Sequence, residues 1–242
     1  MSTHSHTNSH DSFNTSALTK TYITGETEVQ ALRGVDIDIP QGELVVLLGP
    51  SGSGKSTFLN IIGGLDQASS GQVFFRGQDL SKMSPKELTL YRREHIGFIF
   101  QSYNLIPSLT ALENVALVTE IARDPMSPLD ALDAVGLKNR ASHFPSQLSG
   151  GEQQRVAIAR ALAKQPEVML CDEPTGALDI ETGIVVLKAL LDANEKTGAS
   201  CIIITHNVSI AQLAHRVIHF VDGQVSRITL NKDRKQPEDI EW

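Results

Sequence analysis

The chain has 242 residues, 21 basic against 28 acidic for a net charge of −7, and 40% hydrophobic content, which suits one large α/β domain or two small ones around a substantial core. The acidic balance argues against a nucleic-acid surface as the main partner. No run approaches the 18 apolar residues of a membrane span, and residues 1–19 hold neither Lys nor Arg nor a signal-like apolar stretch, so the chain is expected to be soluble and to stay in the compartment where it is made.

Residues 1–16 are rich in Ser, Thr, Asn and His and read as a disordered polar tail, with His4, His6 and His10 as solvated side chains and not metal ligands. Alternating apolar residues over 17–39 predict a pair of strands, and residues 40–43 a turn into a fully apolar strand at 44–48. A predicted helix over 53–62 stops at Gly63 and Gly64. Further strands are expected at 73–76, 96–100, 167–171, 200–205 and 217–221, the last turning through Asp222-Gly223 into 224–228. Between them the period becomes helical, with helices at 111–123, 128–135 and 150–164 forming an inserted lobe over about 101–165. Strands alternating with helices imply a largely parallel sheet that binds ligands at the carboxyl ends of its strands. Residues 231–242 read as a loosely held charged tail, and Cys171 and Cys201 as buried thiols in a reducing compartment.

The segment between the first apolar strand and its helix carries the most chemistry. Gly49, Pro50, Ser51, Gly52, Ser53, Gly54, Lys55, Ser56 and Thr57 fit G-x-x-x-x-G-K-[ST], in which glycines let backbone N–H groups curl around phosphate oxygens at a helix start. Lys55 then reaches the outer phosphates and Ser56 holds Mg²⁺. The apolar run 168–171 ends in Asp172 and Glu173, placing two carboxylates where the phosphate loop also lies. Asp172 suits a water-mediated Mg²⁺ contact, and Glu173 can orient or deprotonate an attacking water. Ser149, Gly150, Gly151 and Glu152 open a second helix, an N-cap with a capping-box acid that also offers N–H groups to an anion.

These motifs, in this order and over residues 17–228, resemble the nucleotide-binding subunit of an ATP-binding cassette (ABC) transporter, with Leu148–Ser149–Gly150–Gly151–Glu152 as the most specific element. The resemblance implies a phosphate-loop NTPase core with a largely parallel sheet, an N-terminal antiparallel β subdomain and an inserted α-helical lobe, the ATPase domain covering 17–230. It assigns Gln101 to a loop sensing Mg²⁺ and the attacking water, Asp179 to a subunit-crossing loop, His206 to a switch contacting the γ-phosphate, and Tyr22 to stacking on adenine. It implies a head-to-tail homodimer or pseudo-dimer sandwiching two ATP, each between one copy's phosphate loop and the other's Ser149–Gly151 segment. The strings at 61–66, 97–101, 109–115 and 172–179 are similar to the subfamily of lipoprotein release and macrolide or peptide export, which shares Gly176 and Glu152 in place of the commoner Ser and Gln. That subfamily implies a separate transmembrane permease, docking near Tyr103, Leu105, Ile106 and Pro107, with a periplasmic or membrane-fusion component as a possible addition. It also implies a peripheral place on the cytoplasmic face of the inner membrane. The competing expectation is a soluble ABC ATPase of DNA repair or translation. Those proteins usually carry a second cassette, a coiled-coil insertion or zinc-binding cysteines, and none appears between Lys55 and Ser149.

Overall fold

The computed structural model describes residues 11–25 and 27–241. Its first two strands, β1 (Asp11–Thr24) and β2 (Thr27–Pro40), pair antiparallel with Thr24 opposite Thr27. The chain continues through β3 (Leu44–Leu48), α1 (Lys55–Ile62), β4 (Ser70–Phe75), β5 (Gln78–Asp79), α2 (Pro85–His95) and β6 (Ile96–Ile99). The lobe α3 (Ala111–Thr119), α4 (Pro128–Ala134) and α5 (Gly150–Ala163) comes next, then β7 (Val168–Asp172), α6 (Ile180–Thr197), β8 (Ser200–Thr205), β9 (Arg216–Val221) and β10 (Gln224–Leu230).

Two sheets result. The antiparallel sheet has the order β2-β1-β4-β5, and the six-stranded sheet has the order β10-β9-β3-β8-β7-β6, parallel except for the β9–β10 hairpin. β3 is buried on both faces because its apolar run feeds two cores. Leu44, Val46 and Leu48 join the core beneath α3–α6, whereas Val45 and Leu47 join the core shared with α1 and the antiparallel sheet. The same alternation splits Met169 and Cys171 from Val168 and Leu170, and Cys201 and Ile203 from Ile202 and Ile204. Cys171 and Cys201 are fully buried free thiols with sulfurs 3.9 Å apart, a hydrogen-bond contact and too far for a disulfide.

Several expectations need correction. The polar tail does not extend to residue 16: Asp11–Ser16 begin β1, because Phe13 is fully buried against Phe75 and Ser12 bonds Ser200 across the sheets. The three histidines of the tail lie outside the described residues, as does Trp242. The charged C-terminal stretch is not loose, since Ile240 is buried, Asn231 Nδ2 donates to the Ala211 and Ala214 carbonyls, and Glu238 pairs with Lys188 of α6. α3 stops at Thr119, four residues early. Helices α2 and α6 fall where apolar periodicity alone named no helix.

Candidate active site

Four neighbouring parallel strands, β3, β8, β7 and β6, bring the phosphate loop, His206, the Asp172–Glu173 pair and Gln101 to their carboxyl ends. The loop after β3 is shaped by close backbone approach. Gly54, the N-cap of α1, has φ +98°, and a Cβ there would stand 2.5 Å from the Ala31 carbonyl oxygen, so only glycine fits. Lys55 folds back over this loop, its Nζ donating to the carbonyls of Gly49 at 2.7 Å and Pro50 at 2.8 Å and to Ser53 Oγ at 3.3 Å. Burial holds the Lys55 ammonium below its usual pKa, against the opposing pull of Glu173 and Asp172.

At the tip of β7, burial and then the adjacent Glu173 raise the Asp172 carboxyl above its ordinary value, while the Ser56 hydroxyl and Lys55 work the other way. Glu173 sits at φ +46°, held by its N–H on the Ile204 carbonyl and by its carbonyl accepting from Gly176 N. This twist brings Glu173 Oε1 within 2.9 Å of His206 Nδ1. Gln101 follows β6, and its amide rests on Gly176, where a Cβ would lie 2.8 Å from Nε2. A serine at 176 would displace that amide, which gives the glycine there a local reason.

Residues 51–57, Gln101, Asp172, Glu173 and His206 line one cleft of about 710 Å³. Gly49 and Pro50 border an adjoining depression that shares His206. The rest of the lining comes from Val29, Gln30, Ala31 and Arg33 of β2 and from Asp222 and Gly223 of the last hairpin, which pack against the loop. Sequence reasoning missed these residues. They fit no motif, and their signal lies in pairing, since Arg33 N donates to Gly223 O and Gly223 N to Ser53 O.

Four predicted groups lie apart from this lining. Tyr22, 38% exposed, stands beside it near Thr57, with its hydroxyl donating to Asp66. Ser149 caps α5, its Oγ accepting from Glu152 N and its N–H donating to Glu152 Oε2, while Arg140 Nε bonds the other carboxylate oxygen. Gly150 and Gly151 permit close approach, because a Cβ would meet the Tyr103 hydroxyl at the first and Thr182 Cγ2 at the second. Asp179 caps α6 by accepting from Thr182 N and Oγ1. In a single copy, therefore, the Ser149–Gly151 segment does not meet the phosphate loop.

The ABC transporter family profile matches residues 32–176. The chain belongs to the ABC transporter family. It is 48% identical over 219 residues to an uncharacterized ABC transporter ATP-binding protein, MJ0796, of Methanocaldococcus jannaschii, covering 87% of this chain and 93% of that one. It is 46% identical to the lipoprotein-releasing system ATP-binding protein LolD of Bacteroides fragilis, covering 81% and 94%. It is 43% identical to the macrolide export ATP-binding/permease protein MacB of Rhodopirellula baltica, covering 86% of this chain but 32% of MacB. It likewise spans about half, 48%, of the length of a Mycoplasma pneumoniae relative. The fold matches a dimeric structure of a post-hydrolysis state of the cassette MJ0796 bound to ADP and Pi, with TM-score 0.82, 44% identity, and 90% and 98% of the two chains covered. The cassette is thus an ABC ATPase similar to ATP-binding proteins named for lipoprotein release and macrolide export, and no helix among the described residues is long and apolar enough to cross a membrane.

The cleft suits a nucleotide-bound Mg²⁺. Its donors are hard oxygens, with the Ser56 hydroxyl beside Asp172 and the Gln101 amide in the same cleft, and among the described residues no group of three or more His, Cys, Asp or Glu could hold a metal ion by itself. So sparse a protein set matches an ion that keeps several waters and takes phosphate oxygens.

Proposed function

We propose that this cassette binds Mg²⁺-ATP in the cleft after β3, closes head-to-tail on a second copy or close relative, and through that closure drives a separate membrane permease in export or envelope extraction. One observation carries the reading: the phosphate loop, the carboxylate pair, Gln101 and His206 share one cleft, whereas the equally anion-suited start of α5 lies outside it. A second copy supplies what the cleft lacks.

In this reading, the N–H groups of residues 51–57 hold the phosphates, and Lys55 leaves its loop carbonyls for the outer phosphate oxygens. Ser56, Asp172 and Gln101 hold Mg²⁺, which offsets phosphate charge when bound. Glu173 takes the proton of the attacking water, while His206, tied to Glu173 Oε1, donates to the γ-phosphate. Tyr22 offers a ring to the adenine beside Thr57. Ser149 and Gly151 of the second copy close over the γ-phosphate, and Asp179 lines the crossing between copies. Hydrolysis removes the group that both copies grip, so they part. Gly49 and Gly150 leave room where a Cβ would meet the Phe220 carbonyl and the Tyr103 hydroxyl, and Pro50 continues the loop between Gly49 and Ser51.

The names of the relatives favour a transporter over the DNA-repair or translation alternative. A peripheral place at the cytoplasmic face of an inner membrane, with a membrane-fusion component as an accessory, belongs to the same proposal. Support for a docking face comes from the segment after Gln101. Ile106 is 41% exposed and Pro107 is exposed, yet the backbone of Ile106 is hydrogen-bonded through both its N–H and its carbonyl. Buried Asn114 donates to the Ile106, Leu109 and Thr110 carbonyls and accepts from Ile106 N, and Arg160 donates to the Tyr103 and Asn104 carbonyls. A mild-detergent pull-down from membranes, with mass spectrometry of the co-purifying proteins, tests the reading. We expect a permease with a large extracytoplasmic domain, lost with Ile106→Asp, whose isolated ATPase activity stays near wild type. A soluble nucleic-acid complex overturns the transporter reading, and an undiminished permease yield with Ile106→Asp overturns the docking face.

A further inference from the structure

Tyr22 does not stand free on its strand. Its hydroxyl donates to Asp66 Oδ2 at 2.8 Å, and Lys20 Nζ, 2.6 Å from Asp66 Oδ1, lies 4.8 Å from the centre of the Tyr22 ring. Lys20 Nζ also donates to the Gln67 carbonyl at 2.7 Å, and Gln67 N donates to Asp66 Oδ1. Asp66 itself is fixed just past α1, its N–H on the Asn60 carbonyl. The carboxylate is therefore shared between an ammonium and a phenol, and α1, which begins at the phosphate loop, carries it.

We propose that Lys20 and Asp66 are positioning residues that pre-set the Tyr22 ring as a one-faced platform for the nucleotide base. The inference rests on the reading of Tyr22 as the base-stacking residue and goes beyond it. The pinned hydroxyl removes the swing of the side chain. The ammonium engages the ring face through its quadrupole, leaving the opposite face for a planar base. A half-exposed tyrosine without this tether would lose its rotamer freedom only when the nucleotide binds, at the expense of affinity. The tether moves that loss to folding, so its signature is a change in KM with little change in kcat.

Steady-state ATPase kinetics and thermal midpoints of Lys20→Met, Asp66→Asn, Tyr22→Phe and Tyr22→Ala, and of the Lys20→Met, Tyr22→Ala double variant, test it. Tyr22→Phe keeps the ring and the fold but cuts the tether. We expect Tyr22→Ala to raise KM for ATP most, and Lys20→Met, Asp66→Asn and Tyr22→Phe to raise it about two- to tenfold, the range for one immobilised side chain. The kcat of these variants should stay within about twofold. In the Tyr22→Ala background, Lys20→Met should add nothing, since its action passes through the ring. If Tyr22→Ala raises KM while Lys20→Met and Tyr22→Phe do not, the base reading stands and the tether falls. An unchanged KM in Tyr22→Ala removes both. An equal Lys20→Met effect with and without Tyr22 means that Lys20 only supports the fold, and overturns the proposal.

Discussion

Glu173 shows how a single residue is aimed. Its positive φ costs an L-residue about 1 kcal/mol, yet the Ile204 carbonyl and the Gly176 N–H hold the twist. The benefit is direction, because the carboxylate leaves the line of β7 and reaches His206 in the cleft. Glutamine keeps size and backbone but cannot accept the proton. Glu173→Gln is therefore expected to bind ATP normally and to lose hydrolysis by about 10²- to 10⁴-fold, the usual weight of a general base. Phosphate release measures the loss, and size-exclusion chromatography with ATP should show a persistent dimer. Wild-type turnover in this variant would remove Glu173 from the base role. Tyr22, Asp179 and Ser149 differ from Glu173 in kind, since within one copy their polar atoms are engaged locally, in a tether or a helix cap.

At the scale of elements, the parallel strands were legible because a strand buried on both faces needs an unbroken apolar run, as at 44–48, 168–171 and 201–204. The phosphate loop was legible because its backbone path demands glycine. What stayed hidden depends on partners distant in sequence. β1 begins at Asp11 only because Phe75 and Ser200 wait for Phe13 and Ser12, and the cleft wall on β2 is defined by the hairpin at Gly223. α2 buries little beyond Leu88 and Tyr91, so its apolar period is faint; in the structure the Ser84 and Glu87 capping box fixes its start. The end of α5 carries a testable consequence of such packing. Lys164 Nζ donates to the Arg92 and Ile96 carbonyls, and burial, aided by Arg92, pulls its pKa from 10.5 to about 8. Between those values the unfolded chain holds a proton that the folded chain has released, so raising the pH stabilises the fold across that window; below about 8 both states are charged and the contribution no longer changes with pH. The unfolding free energy of wild type minus that of Lys164→Met should therefore climb by about 1–2 kcal/mol from pH 8 to 10 in denaturant titrations. A flat difference would mean that this lysine keeps its ordinary pKa.

The whole molecule is a cassette with two anion-suited helix starts that do not face each other. α1 opens at the cleft, and α5 opens in the lobe, where Gly150 and Gly151 sit against Tyr103 and Thr182. In the proposed closed two-fold pair each copy completes the other's cleft, which makes the two halves of one site separable by mutation. Lys55→Ala damages the phosphate loop and leaves Ser149 intact; Ser149→Arg does the reverse. Each homodimer then has two damaged sites. A mixed dimer has one doubly damaged site and one built from the intact loop of the Ser149→Arg copy and the intact Ser149 of the Lys55→Ala copy. Random pairing makes half of the dimers mixed, so an equimolar mixture is expected to regain about a quarter of wild-type hydrolysis if the sites turn over independently. Phosphate release across a series of mixing ratios should peak at equal amounts and vanish at either end. Inactivity at every ratio, in preparations whose members still bind ATP or form dimers, would show that the loop and the α5 start do not meet across copies.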